Sequence, residues 1–220
     1  MYQHLDLKAQ PLPYSIGKVV CVGRSYREHA LELANPVPSQ PLLFIKPASS
    51  LVNLAAPLIL PKDQGVVHHE IEVALLLGHR LCKATPQQSL AAVVGVGLGL
   101  DLTLRDLQDE LKLNGHPWER AKAFDDSCPM SPFVAVEDIG SLHELPFSLS
   151  VNNELRQTGN TQQLMWPLGQ LLAKISHSFT LSPGDIVLTG TPKGVSALHA
   201  GDTLVLTLDG QHYFSARVAP

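Results

Sequence analysis

Two carboxylates two residues apart, Glu70 and Glu72, stand inside an otherwise apolar alternating run at residues 66–77, with His68 and His69 just before them. If the run is a β-strand, His68, Glu70 and Glu72 share one face, and Val67, His69, Ile71, Val73 and Leu75 share the other. Like charges held that close need a shared proton, a cationic partner or a metal ion. A hard divalent cation is an economical solution if a third oxygen ligand arrives from elsewhere. Asp101 is a candidate for it. Residues 94–103 read as a second strand in which Gly95, Gly97, Gly99 and Asp101 alternate with Val94, Val96, Leu98, Leu100 and Leu102. Three glycines on one strand face imply that something packs close to the backbone there. The alternatives to a metal triad are a solvated acidic strand face for Glu70 and Glu72 and a helix cap for Asp101, ahead of residues 104–113.

The elements that must position these groups are mostly short strands. Residues 18–22, 42–45, 58–60, 133–136, 145–151, 186–189, 203–208 and 213–218 carry strand composition between turn signals, and Asp209-Gly210 joins the last two as a hairpin. Helices are fewer. The pattern predicts them at residues 27–34, after Thr85 (with Pro86 in the first turn and Gln88 completing a capping box), from Leu104, and at residues 167–176. The proline-rich stretch 35–41 could act as a hinge and the helix before it as a movable lid. The sum is an α+β, mostly β architecture.

Composition narrows the function. A chain of 220 residues suits one domain with a real core. A net charge of -4 without a basic run argues against nucleic acid or an anionic membrane surface and for a small-molecule substrate. Cys21, Cys82 and Cys128 are odd in number and widely spaced, which reads as reduced thiols in a cytoplasmic protein. The start of the chain lacks the pattern of an export signal, and the longest apolar stretch, residues 90–100, is too short and glycine-rich to cross a bilayer.

An ordered set of motifs resembles the fumarylacetoacetate hydrolase family. They are VVCVGRSY at residues 19–26 with His29; Phe44-Ile45-Lys46-Pro47; His68 through Glu72; Asp101-Leu102-Thr103 with Arg105 and Gln108; Pro117-Trp118 with Ala121-Lys122 and Phe124-Asp125; and Pro183-Gly184-Asp185 with Thr189-Gly190-Thr191-Pro192. The resemblance is to the short acylpyruvate hydrolase branch, which includes oxaloacetate decarboxylases. It implies a mixed β-sandwich or roll with few short helices, an N-terminal arm at residues 1–15, one catalytic domain over residues 16–220, and a homodimer. It also implies Mg2+ or Mn2+ on Glu70, Glu72 and Asp101, a water-activating His29 and Glu32 on the lid, and Lys122 as an electrostatic stabiliser of an oxyanion or enolate. By the same resemblance Thr191 contacts a substrate carboxylate. Arg105 and Gln108, one helical turn apart, reach the substrate or the groups behind it. Arg24 and Tyr26 cover the pocket mouth, or Arg24 serves a structural salt bridge.

The activity so implied is cleavage of a C–C bond in acylpyruvate-type 2-oxo acids to release pyruvate, with oxaloacetate decarboxylation possible at the same site. The alternatives are an isomerase of ring-cleavage products or an oxaloacetate tautomerase, and a metal-dependent metabolite-binding protein without turnover. Two departures stand out. Ser25 occupies a position where many relatives carry asparagine, shortening a side chain beside the lid. Ser196 stands where relatives often carry glycine, at a turn it would reshape.

Overall fold

The two alternating apolar runs lie side by side at the centre of the protein, and each is cut at a carboxylate. The computed structural model describes residues 2–32 and 38–220. The end of the expected lid helix beyond Glu32 and residues 35–37 of the expected hinge lie outside them. The strands in chain order are β1 (Val19–Gly23), β2 (Leu42–Lys46), β3 (Leu51–Asn53), β4 (Val67–His69), β5 (Ile71–Leu77), β6 (Val93–Leu100), β7 (Thr103–Leu104), β8 (Cys128–Met130), β9 (Val134–Ala135), β10 (Pro146–Val151), β11 (Glu154–Asn160), β12 (Ile186–Leu188), β13 (Ser196–Ala197), β14 (Thr203–Leu208) and β15 (His212–Arg217). The helices are α1 (Arg27–Glu32), α2 (Pro86–Ala91), α3 (Arg105–Leu113), α4 (Glu119–Lys122) and α5 (Leu168–Ser178).

One mixed sheet runs β2-β1-β12-β5-β6-β8-β3, with β9 also pairing β6; a second runs β11-β10-β14-β15, and a third runs β13-β4-β7. The expected continuous strands at 66–77 and 94–103 are therefore corrected. Glu70 separates β4 from β5, and Asp101-Leu102 separates β6 from β7, so both chains leave the large sheet for the small one at the same level. The Asp101 N–H donates to the Glu70 carbonyl at 2.8 Å and closes this double corner. Strands turn corners between sheets by such bends.

β5 is buried on both faces, as the centre of a sheet covered on each side must be. Val73, Leu75 and Leu77 face a large core with α5 residues Leu171, Leu172 and Ile175 and with Leu204, Leu206 and Leu208 of β14. Ala74 and Leu76 face a smaller one with Tyr2, Cys128, Met130 and Phe133. The glycine face of β6 meets that segment: a Cβ on Gly97 would lie 2.9 Å from Ser131 Oγ and 3.2 Å from Phe133, and one on Gly99 would lie 2.8 Å from Met130 Sδ. The close approach expected from the glycine row is thus made by residues 130–133.

Other elements follow local chemistry. Thr85 and Gln88 form both halves of the capping box on α2. The N-cap of α3 is Leu104, without a side-chain bond, so Asp101 is not a helix cap. Residues 58–60 are not a strand; Pro57 and Pro61 bracket them, and only Leu58 bridges, to Val218. β11 was not expected. It follows β10 through Asn152-Asn153, both at positive φ (50° and 65°), which asparagine tolerates in a two-residue hairpin turn. None of the cysteines is paired, with Cys21 and Cys128 buried and Cys82 exposed. No described helix is long and apolar enough to cross a membrane.

Gly97→Val should destabilise the protein by about 1–3 kcal/mol, the usual cost of forcing extra methyl groups into a filled core. Urea unfolding followed by far-ultraviolet circular dichroism measures it, and an unchanged midpoint would refute the close packing of β6 on residues 130–133.

Candidate active site

The corner brings together the three carboxylates. Ligand oxygens of Glu70, Glu72 and Asp101 all lie within 4.8 Å of one another, and all three residues are buried. Around them Gly23, Arg24, His29, Phe44, Arg105, Gln108, Trp118, Lys122 and Thr191 complete the wall of one cavity.

Cations compensate part of this charge. The Lys122 ammonium bonds Glu70 Oε2 at 2.8 Å and Asp101 Oδ2 at 2.7 Å. It is presented by the short helix α4, whose Ala121 is packed into the core, and it lies 5.3 Å from the centre of the Phe44 ring. Arg105, at the start of α3, pairs with the other oxygen of Glu70, donates to Gln108 Oε1 at 2.6 Å, and reaches His68 Nδ1 at 3.4 Å. A third cation, Lys46 at the end of β2, is wholly buried behind Asp101, with Nζ 2.9 Å from Oδ1. Its hydrogen bonds go instead to the Lys122 carbonyl and to the Ser127 carbonyl and hydroxyl. Asp101 Oδ1 therefore has a cation nearby but no hydrogen bond.

The three carboxylates do not share these cations equally. Burial opposes ionisation of Glu70, but Lys122 and Arg105, with His29, outweigh it and hold that carboxyl below the ordinary carboxylate range. Burial also opposes the Lys122 charge, and Asp101 and Glu70 reverse the effect and raise its pKa. Glu72 has no cation at bonding distance. Its Oε2 accepts from the Gly190 N–H at 2.6 Å, and burial, then Asp101 and Glu70, push its pKa well above the usual value. An uncompensated third carboxylate and an all-oxygen donor set fit a hard divalent cation on Glu70, Glu72 and Asp101.

The Gly190 amide reaches Glu72 because the chain turns through φ 101° there, a conformation suited to glycine. A Cβ at that position would sit 1.7 Å from Ser25 Oγ. Ser25, the short residue at the family's asparagine position, fills this gap and donates to the Thr189 carbonyl at 2.6 Å.

From the lid, His29 is buried and its Nδ1 lies 3.3 Å from Glu32 Oε2. The Glu32 carboxylate also accepts from the Gly194 N–H at 3.0 and 3.2 Å, which ties α1 to the loop after β12. Burial lowers the His29 pKa, against the opposing pull of Glu70 and Glu32. Because the carboxylate accepts, Nδ1 carries the hydrogen and Nε2 is the basic nitrogen.

Of the residues singled out in the sequence, Arg24, His29, Glu70, Glu72, Asp101, Arg105, Gln108, Lys122 and Thr191 all line the cavity, and Glu32 stands behind His29. Arg24 is in the left-handed region at φ 56°, and burial lowers its pKa. Tyr26 is elsewhere: it is buried against Phe147, with ring centres 6.3 Å apart and its hydroxyl 3.4 Å from the Asn160 carbonyl. Residue-by-residue reading of the sequence passed over Lys46 and Gln157. Lys46 carried a signal, a lysine closing an apolar strand.

A curled mixed sheet thus carries three convergent carboxylates that could hold a metal ion, beside a caged lysine and a clasped histidine. The family model for the fumarylacetoacetate hydrolase C-terminal region matches residues 18–219, and the chain belongs to that family. It is 48% identical over 219 residues to an Escherichia coli protein named oxaloacetate tautomerase YcgM, covering 99% of this chain and 100% of that one. A Yersinia pestis structure described as of the same family superposes with a TM-score of 0.97 at 45% identity, over 99% of this chain and 100% of that one. A Pseudomonas aeruginosa fumarylpyruvate hydrolase, solved with Mn2+ and pyruvate, superposes with a TM-score of 0.91 at 36% identity, covering 98% of this chain and 94% of that one.

Lys46→Met should cost about 3–5 kcal/mol of stability, the range for stripping one partner from a buried ion pair. Urea unfolding reads it, and a loss under about 1 kcal/mol would mean that Asp101 does not depend on this lysine.

Proposed function

We propose that this chain interconverts the keto and enol forms of oxaloacetate, using Mg2+ or Mn2+ held by Glu70, Glu72 and Asp101. The observation that carries the reading is a base and a cation on one small cavity: His29 with Nε2 unprotonated, and Lys122 caged between two carboxylates. The full-length relative named oxaloacetate tautomerase supports the substrate, and the Mn2+ and pyruvate in the fumarylpyruvate hydrolase structure support the ion and the 2-oxo acid class.

The bound ion supplies Lewis-acid polarisation of the 2-oxo group. Arg24, Arg105, Gln108 and Thr191 bind and orient the substrate's anionic groups. His29 Nε2 removes a proton from C3 of the keto form, and Glu32 steadies the imidazolium that results. Negative charge gathers on the 2-oxygen, where the Lys122 ammonium stabilises it. Return of the proton to the 2-oxygen gives the enol; its return to C3 restores the keto acid.

A second reading, acylpyruvate hydrolysis, is favoured by the same dyad. There His29 takes a proton from water, the hydroxyl adds to the distal carbonyl, and the C–C bond breaks to expel pyruvate as its enolate. The order of the two readings follows the relatives: the tautomerase name belongs to the 48% relative and the hydrolase name to a 36% structural neighbour. A homodimer forms part of this proposal, with sedimentation velocity as its test.

Enol decay of oxaloacetate, followed by ultraviolet absorbance with Mn2+, should be accelerated by the protein. Chelation by EDTA and Asp101→Asn should each abolish the effect, and His29→Ala should lower kcat by about 10²–10⁴-fold, the usual range for a general base. Faster release of pyruvate from acetylpyruvate or fumarylpyruvate than enol decay would establish the hydrolase reading instead.

The pH profile tests His29 separately. A base with a depressed pKa stays unprotonated below the ordinary imidazole value of about 6.5. The acid limb of kcat/KM should therefore fall below that value, and Glu32→Gln, by removing the carboxylate that favours the imidazolium, should move it lower still. An acid limb above the ordinary value would exclude His29 as the base.

A further inference from the structure

Behind the cavity wall, four polar side chains from separate segments form a directed chain of hydrogen bonds. Gln157, a buried residue of the polar strand β11, stands at its centre. Its Oε1 accepts from the Ile71 N–H at 3.1 Å, and its Nε2 donates to the Pro192 carbonyl at 2.9 Å. A backbone N–H only donates and a carbonyl only accepts, so the amide has one permitted orientation. The remaining Nε2 proton goes to Thr191 Oγ at 2.8 Å.

The same logic runs in the other direction. Gln157 Oε1 lies 2.9 Å from His69 Nδ1, which must carry the hydrogen. His69 Nε2 meets the Ser196 hydroxyl at 2.7 Å. His69 and Ser196 are paired residues of β4 and β13, so the chain is anchored in a sheet.

The consequence falls on Thr191, which is buried on the cavity wall. Its oxygen is used as an acceptor by Gln157 and makes no other hydrogen bond among the described residues. Its own proton is left for the cavity. We propose that Gln157, held by His69 and Ser196, is a positioning residue that makes the Thr191 hydroxyl a dedicated donor to a carboxylate of the substrate. This deepens the proposed function and rests on its anionic 2-oxo acid substrate. A hydroxyl otherwise turns freely between donor and acceptor, so fixing its polarity favours an anionic group over a donor group at that spot.

The test uses Gln157→Met, Thr191→Val and the double variant, with oxaloacetate kinetics in Mn2+ and pyruvate binding in Mn2+ by calorimetry. Gln157→Met should raise KM and the pyruvate Kd roughly tenfold, the scale of one hydrogen bond to a charged group, while kcat stays within about threefold. Thr191→Val should do the same. The double variant should be no worse than either single one within about twofold, because both remove one interaction. Effects that multiply in the double variant, or a Gln157→Met protein with unaltered KM and Kd, would overturn the proposal. If Gln157→Met does not fold, Ser196→Ala leaves Gln157 in place and should raise the pyruvate Kd only where Thr191 is intact; no change in either background counts against the proposal. The pyruvate measurement reads the positioning role even in a protein that leaves oxaloacetate untouched, so failure of the tautomerase reading is distinguishable from failure of this one.

Discussion

Three buried carboxylates within reach of one another are the constraint on which the rest of this structure depends. In a medium of low polarity, like charges at that separation cannot all remain ionised without compensation. The protein supplies cations to two of them: Lys122 bridges Glu70 and Asp101, Arg105 takes the far side of Glu70, and Lys46 stands behind Asp101. Glu72 receives only a backbone N–H. Leaving one carboxylate without a cation is costly to the bare protein and useful to a metal enzyme, since the deficit is what a divalent ion makes good.

That constraint explains the break in both central strands. A straight strand would place Glu70 and Glu72 on one face and carry Asp101 outward along its neighbour. By leaving the large sheet at Glu70 and at Asp101, β4–β5 and β6–β7 fold the two carboxylates toward the same point, and one backbone hydrogen bond holds the corner. The glycine face of β6 lets residues 130–133 press against the backbone beside that corner. That packing adjoins the site: Gly99, pressed by Met130, is two residues from Asp101, and the three carboxylates are buried, where their interactions are strong.

How much of this the residues announce depends on the kind of signal. Alternation revealed the faces, including His68 on the side of Glu70 and Arg105 and His69 on the other, toward Gln157. It did not reveal the corners, because the apolar rhythm continues through Glu70 and Asp101 while the backbone changes sheet. β11 was hidden for the opposite reason: of its seven residues only Gln157 and Gly159 are buried, so it has no apolar rhythm, and its turn, Asn-Asn, lacks the usual glycine. The proline-bracketed residues 58–60 offered apolar composition without the freedom to pair. Within the site, spacing alone pointed to the three carboxylates, whereas His29, Glu32 and Lys122 were found through family resemblance. A lysine or a histidine looks the same in a sequence whether it lies in solvent or in a cage of carboxylates, and only the fold distinguishes them.

The relatives carry the names of different reactions, oxaloacetate tautomerase and fumarylpyruvate hydrolase, so family membership alone does not choose between them. Tautomerisation needs one proton moved and no water; hydrolysis needs a water molecule held between the base and the distal carbonyl. In both proposed reactions the base is His29, which is held by Glu32, itself tied to the Gly194 amide. That clasp holds His29 on the cavity wall beside the carboxylates. Under the proposed function the clasp between α1 and the loop after β12 positions the base for proton transfer within a substrate as short as oxaloacetate. On the proposed reading the two reactions differ in whether a water is held beside His29, while the three carboxylates and their cations stay the same.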